Sequence, residues 1–97
     1  MFNNFSLIGT VNTIELNNES GYTITLKIQK DFKNEKGEFE YEYIPFIIRG
    51  ALEELVLNDL GNGDKISVKG KIITNFWDSG TAVELLAEKI NWIKGAE

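Results

Sequence analysis

In the segment Phe5–Leu16, apolar Phe5, Leu7 and Val11 alternate with polar or small residues. This is the period of two that a half-buried strand requires. Gly9 interrupts the run, and glycine inside a strand marks a bulge or a sharp bend. Asn17-Asn18-Glu19-Ser20-Gly21 then forms a turn cluster. Residues 22–30 carry the cleanest alternation of the chain: Tyr22, Ile24, Leu26 and Ile28 on one face, Thr23, Thr25, Lys27 and Gln29 on the other. That pattern predicts a strand with one buried face. Residues 31–38 are polar and contain the loop signal Asn34-Glu35-Lys36-Gly37. A third strand is predicted over residues 39–49. Ile44, Phe46 and Ile48 face the core there, and Tyr41, Tyr43, Pro45, Ile47 and Arg49 face away. Pro45 has no N–H to give a ladder, so this strand lies at an edge or is locally broken.

One segment, residues 51–60, reads as helix. Leu52, Leu55 and Val56 recur at helical spacing with acids between them, and Gly61 stands where a C-terminal cap is expected. A fourth strand follows over residues 64–75, with Ile66, Val68 and Ile72 apolar and a bend at Gly70. Asp78-Ser79-Gly80 is a tight turn. Residues 81–94 form a fifth strand with Val83, Leu85, Ala87, Ile90 and Trp92 as inward contacts. Propensity alone would make residues 83–89 helical. The preceding hairpin turn and an otherwise unpaired fourth strand argue for a strand instead. The order β-β-β-α-β-β, all-β but for one short helix between strands three and four, is that of the five-stranded Greek-key barrel known as the OB-fold. Residues 1–97 are expected to be one such domain.

Composition narrows the chemistry. The chain has no cysteine and no histidine. A disulfide framework, a thiolate metal site and the commonest general base are all excluded. There is no nucleophile–base pair, no phosphate-cradling glycine loop and no metal-ligand cluster, so neither catalysis nor a cofactor is expected. Glu40 and Glu42 share a strand face, where paired acids on an edge are usually solvated. Met1-Phe2-Asn3-Asn4-Phe5 lacks the basic and apolar regions of a signal peptide, and no apolar stretch is long enough to span a bilayer. The expectation is a cytoplasmic protein without a membrane partner. The formal net charge is −5, which by itself opposes nucleic-acid binding. The distribution tempers this: Lys27, Lys30, Lys33 and Lys36 cluster in one stretch and Lys65, Lys69 and Lys71 in another, while many acids lie elsewhere.

Several stretches, in order and at matching spacing, resemble the bacterial single-stranded DNA-binding proteins and the related primosomal replication protein N. They are Phe5-Ser6-Leu7-Ile8-Gly9-Thr10-Val11, the Lys-rich hairpin from Lys30 to Glu38, the run from Tyr43 through Gly50 to Glu53, and Gly63-Asp64-Lys65-Ile66-Ser67-Val68-Lys69-Gly70-Lys71-Ile72. The resemblance implies base stacking on aromatics. By position Phe32, Tyr43 and Trp77 match stacking aromatics of that family. Arg49 stands where an aromatic is frequent, and would contact phosphate or stack through its guanidinium plane. The resemblance also implies a homodimer or homotetramer. The chain stops at Lys94-Gly95-Ala96-Glu97, so recruitment of proteins by an acidic tail is not expected.

Each candidate also has a plainer reading. Trp77 beside a turn either stacks on a base or folds back onto the barrel or a subunit partner. Phe32 either stacks or anchors the hairpin or a dimer contact. Tyr43 on an outer face is otherwise cross-strand packing. The lysines flanking Phe32 are phosphate contacts or a solvated hairpin, and Lys69 and Lys71 are similar but weaker candidates. Trp92 reads as packing. The expected function is binding of single-stranded DNA, with little sequence preference, in replication, recombination and repair. The alternative is a protein-interaction module in a replication or mobile-element complex, and the acidic balance motivates it.

Overall fold

In the computed structural model the described residues are 3–17, 21–77 and 80–93, the side chains of 57, 75–77 and 81 excepted. The elements are β1 (Phe5–Leu16), β2 (Tyr22–Lys33), β3 (Phe39–Ile48), α1 (Leu52–Asn58), β4 (Lys65–Trp77) and β5 (Gly80–Trp92). The strands close into a barrel in the order β1-β2-β3-β5-β4. All neighbours are antiparallel except β3 and β5, which meet in parallel at Ile47 and Leu86. This is the predicted OB-fold, with the helix between β3 and β4. Among the described residues no helix is long and apolar enough to cross a membrane.

The alternation read from the sequence builds the core. Val11, Ile24, Leu26, Phe46, Ile48, Ile66 and Val68 are almost wholly buried. Each such side chain contributes about 1.5–3 kcal/mol through removal from water. Val56 of α1, with Leu60 just beyond it, joins the same cluster, so the helix seals one end of the barrel.

β1 serves two neighbours in turn. Residues 5–10 pair with β4, and residues 10–16 pair with β2. The change of partner is made by a register shift between Val11 and Thr13. Val11 turns to the far side: its N–H donates to the Asp64 carbonyl and its own carbonyl accepts from Gly63 N–H, both at 2.8 Å. Gly9 is therefore not the bulge that its position suggested. A Cβ there would lie 2.8 Å from Ile28 Cγ1 and 2.9 Å from the Lys27 carbonyl oxygen, so glycine permits the close approach of β1 to β2.

Gly70 does mark a bend. The β4–β5 register shifts between Lys69 and Gly70, where Glu88 is the extra residue of β5. A Cβ at Gly70 would overlap the Leu86 carbonyl oxygen. The same bulge explains why the apolar positions of β5 change phase from Leu85 and Ala87 to Ile90 and Trp92.

Other expectations are corrected. β2 continues through Asp31–Lys33, which the sequence had left as loop, because β3 offers it a partner as far as Phe39. α1 ends at Asn58. Gly61 is not its left-handed cap, and the cap N–H of Asp59 donates to the Leu55 carbonyl. Ile47, assigned to the outer face, is 5% exposed because β3 meets β5 there. Val83, assigned inward, is 68% exposed, and Ile72, read only as an apolar position of the fourth strand, is 37% exposed. Pairing of β4 with β1 stops at Phe5 and Gly70 and β5 meets β3 at Leu86, so from Ile73 and Glu84 outward β4 and β5 form ladder pairs only with each other among the described residues, as a two-stranded arm. Asn3 alone follows them, its side-chain amide bonding both the N–H and the carbonyl of Ile72. Both β4 and β5 have boundaries a little different from those read in the sequence, because pairing continues to Trp77 and Gly80.

Candidate nucleic-acid interface

The outward face of β2 and β3 is set by their register. Lys27 stands opposite Tyr43 and Gln29 opposite Tyr41, and after a register shift Lys33 stands opposite Phe39. Side chains two apart on a strand share a face at about 6.7 Å spacing. Phe39, Tyr41 and Tyr43 therefore form one stripe along β3, and they are 43%, 42% and 55% exposed. Two cations stand on this stripe. Lys27 Nζ lies 4.2 Å from the Tyr41 ring centroid, and Lys33 Nζ lies 5.2 Å from that of Phe39.

The row continues across the sheet. Lys27 pairs with Thr10 of β1, and Thr10 pairs with Lys65 of β4. Tyr43, Lys27, Thr10 and Lys65 thus cross four strands in register. Beside this row, where β1 and β2 separate, Ile8, Lys27, Gln29, Tyr41 and Lys65 line an open groove of about 480 Å³. An exposed stripe of aromatic rings edged by ammonium groups can accept the faces of flat rings and, alongside them, anionic groups.

The predicted residues are distributed unequally over this surface. Tyr43, Lys27 and Lys33 lie on the stripe. Phe32 lies in the irregular stretch between Gln29 and Lys33 and is the most exposed of the described aromatics, at 83%. Lys30 projects on the opposite face of the ribbon and pairs with Glu40 at 3.5 Å. Lys36 sits on the hairpin tip among Glu35, Glu38 and Asn34, whose side-chain oxygen accepts from the N–H groups of Lys36 and Glu38. The tip is therefore of mixed charge. Lys69 faces outward on β4 beside Ser6, and Lys71 pairs with Glu88 at 3.5 Å. Arg49 follows β3 at its other end, six residues or roughly 20 Å from Tyr43. It is not gathered with Phe32. Trp77 ends β4 opposite Gly80 at the far end of the arm, and its side chain lies outside the described residues. So do residues 78 and 79 of the expected tight turn, 18–20 of the first turn cluster, and the C-terminal 94–97.

Sequence reasoning missed three members of this face. Phe39 and Tyr41 were visible as the alternation Phe39-x-Tyr41-x-Tyr43. Lys65 was visible only as one of a cluster, and its place in the groove follows from barrel closure.

The class defined by this fold and face is an OB-fold barrel bearing an exposed aromatic and cationic surface. The sequence matches no protein-family model. Among curated proteins it resembles single-stranded DNA-binding proteins. It is 30% identical over 77 residues to single-stranded DNA-binding protein 3 of Clostridium acetobutylicum, a match covering 74% of this chain and 53% of that protein. It is 26% identical over 77 residues to the single-stranded DNA-binding protein of Caldanaerobacter subterraneus, covering 74% and 51%. The chain thus spans about half the length of the curated relatives it matches. In fold it is similar to the wild-type single-stranded DNA binding protein from Thermus aquaticus, with a TM-score of 0.76 at 23% identity, covering 98% of this chain and 52% of that one.

Proposed function

We propose that this protein binds single-stranded DNA with little sequence preference and leaves it chemically unchanged, serving replication, recombination and repair in the cytoplasm. The observation that carries the reading is the exposed stripe Phe39, Tyr41 and Tyr43 with Lys27 and Lys33 on its rings. Stacking of a base on an aromatic side chain contributes on the order of 1–3 kcal/mol and tolerates any base, because every base has a π-face. Phe32, Tyr43 and Trp77 are the proposed stacking residues implied by the sequence resemblance, and Phe39 and Tyr41 join them from the structure. Lys27, Lys33, Lys65 and Lys69 are the foremost phosphate contacts. Lys30 and Lys71 must first leave Glu40 and Glu88, and Lys36 and Arg49 contribute from the margins. The curated relatives' names support the ligand class. Residues 1–97 act in this reading as one OB-fold unit that assembles into a homodimer or homotetramer.

Titration of the protein with labelled oligo-dT at low and moderate salt, followed by tryptophan emission, tests the proposal. Saturable binding that weakens as salt rises is the expected result. The net charge of −5 and the acids of the hairpin tip favour a second reading, a protein-interaction module. An absence of binding even at low salt selects that reading. Sedimentation over a range of concentrations checks the assembly, which a monomer at high concentration would refute.

A further inference from the structure

The two lysines nearest the aromatic stripe do not point away from it toward solvent. Lys27 Nζ is 4.2 Å from the Tyr41 centroid and Lys33 Nζ is 5.2 Å from the Phe39 centroid. Both distances lie within the range at which a ring's quadrupole attracts a cation. On that face of each ring the ammonium occupies the space a stacked base would need, since stacked aromatic systems approach to similar separations. Among the described residues neither lysine has a carboxylate partner, whereas Lys30 and Lys71 do. Among the described residues the partner of each ammonium is therefore its ring, and Lys27 and Lys33 each have a flexible four-carbon stem on which to move.

From this we infer that Lys27 and Lys33 are exchangeable covers. In the free protein they shield the rings of Tyr41 and Phe39, and when a nucleic-acid strand arrives each ammonium leaves its ring for a phosphate while a base takes the vacated face. The inference rests on the single-strand-binding reading and adds a mechanism to it. A phosphate carries a full negative charge and a ring only a quadrupole, so the exchange runs toward phosphate once the strand is present. Without a strand the cover returns to one face of each of these two rings.

The exchange has a signature in a double-mutant cycle for oligo-dT affinity with Lys27→Ala, Tyr41→Ala and the double variant. Wild type must break the Lys27–Tyr41 contact to bind, and each single variant is relieved of that cost. The double variant should then lose about two- to fivefold more affinity than the product of the two single losses, the size of an exposed cation–π contact. A loss equal to the product, or smaller, overturns the inference: the first means that Lys27 stays where it is, the second that the pair acts as one unit. A measurement on the unaltered protein covers the case in which a variant misfolds. The Lys27 ε-methylene protons should resonate upfield in the free protein, under the Tyr41 ring current, and should return toward the ordinary value on saturation with oligo-dT. If the upfield shift persists in the saturated complex, the exchange is wrong while strand binding stands. If oligo-dT does not bind, both fall together.

Discussion

Asp64 joins two distant parts of the chain through one carboxylate. Its Oδ2 accepts from the Gly61 N–H at 2.9 Å and from Trp92 Nε1–H at 3.1 Å, tying the turn before β4 to the end of β5. The Gly61 bond, then the Trp92 bond, holds the Asp64 pKa below its ordinary value, against a smaller opposing effect of burial. Because the folded pKa is the lower one, the charged carboxylate adds stability at pH values above the usual carboxylate range. That contribution fades as pH falls through the folded value, below about pH 4. Asp64→Ala should lower the unfolding free energy at neutral pH by about 0.5–1.5 kcal/mol, since it removes the acceptor of two part-buried hydrogen bonds. Asp64→Asn keeps an acceptor and should lose less, and it should flatten the acid limb of the stability curve. Denaturant titrations at pH 7 and pH 3 check both. The aspartate looked unremarkable in the sequence, because its partner Trp92 is 28 positions away and had been read only as packing.

At the level of elements, the bulge at Glu88 and the glycine facing it shape the barrel's β4–β5 side. Gly70→Ala would set a methyl against the Leu86 carbonyl, near the Ala87 Cα and Phe5 Cε1 as well. Two of these neighbours are backbone and cannot swing aside. The variant should lose about 1–3 kcal/mol or more, the usual cost of overpacking, measured as a lower denaturation midpoint. The sequence showed this bend as a glycine inside a strand and as the broken alternation between Ala87 and Ile90. It did not show that β4 and β5 run on as an arm, because the alternation of Ile72 and Val83 continues past the point where β1 ends. The hairpin of β2 and β3 was legible in a similar, partial way. Its strands and its aromatic face follow from period two, but the strand character of Asp31–Lys33 depends on a partner that no local pattern in those three residues announces.

For the whole molecule, the relevant electrostatics are local and not the net charge of −5. Lys27, Lys33, Lys65 and Lys69 carry no ion pair among the described residues and lie on the outward face of the sheet. Each ammonium neutralising a single-strand phosphate contributes a slope of roughly −0.7 to log affinity against log salt. Four of them give roughly −3, and Lys65→Ala should make the slope shallower by about 0.7. A slope unchanged in that variant would remove Lys65 from the interface. The amino-acid sequence by itself determined the strand order, the place of the helix and most of the core. Hydrophobic burial acts on each residue locally, and its period of two or 3.6 is written along the chain. It also marked Phe32 and Tyr43 as outward aromatics. Only the tertiary structure decided which lysines keep company with which rings. Pairing of the strands aligned Tyr43, Lys27, Thr10 and Lys65 across four strands and brought Lys30 to Glu40 and Lys71 to Glu88. Those neighbours come from strand register, and register is a property of pairs of segments that no single segment contains.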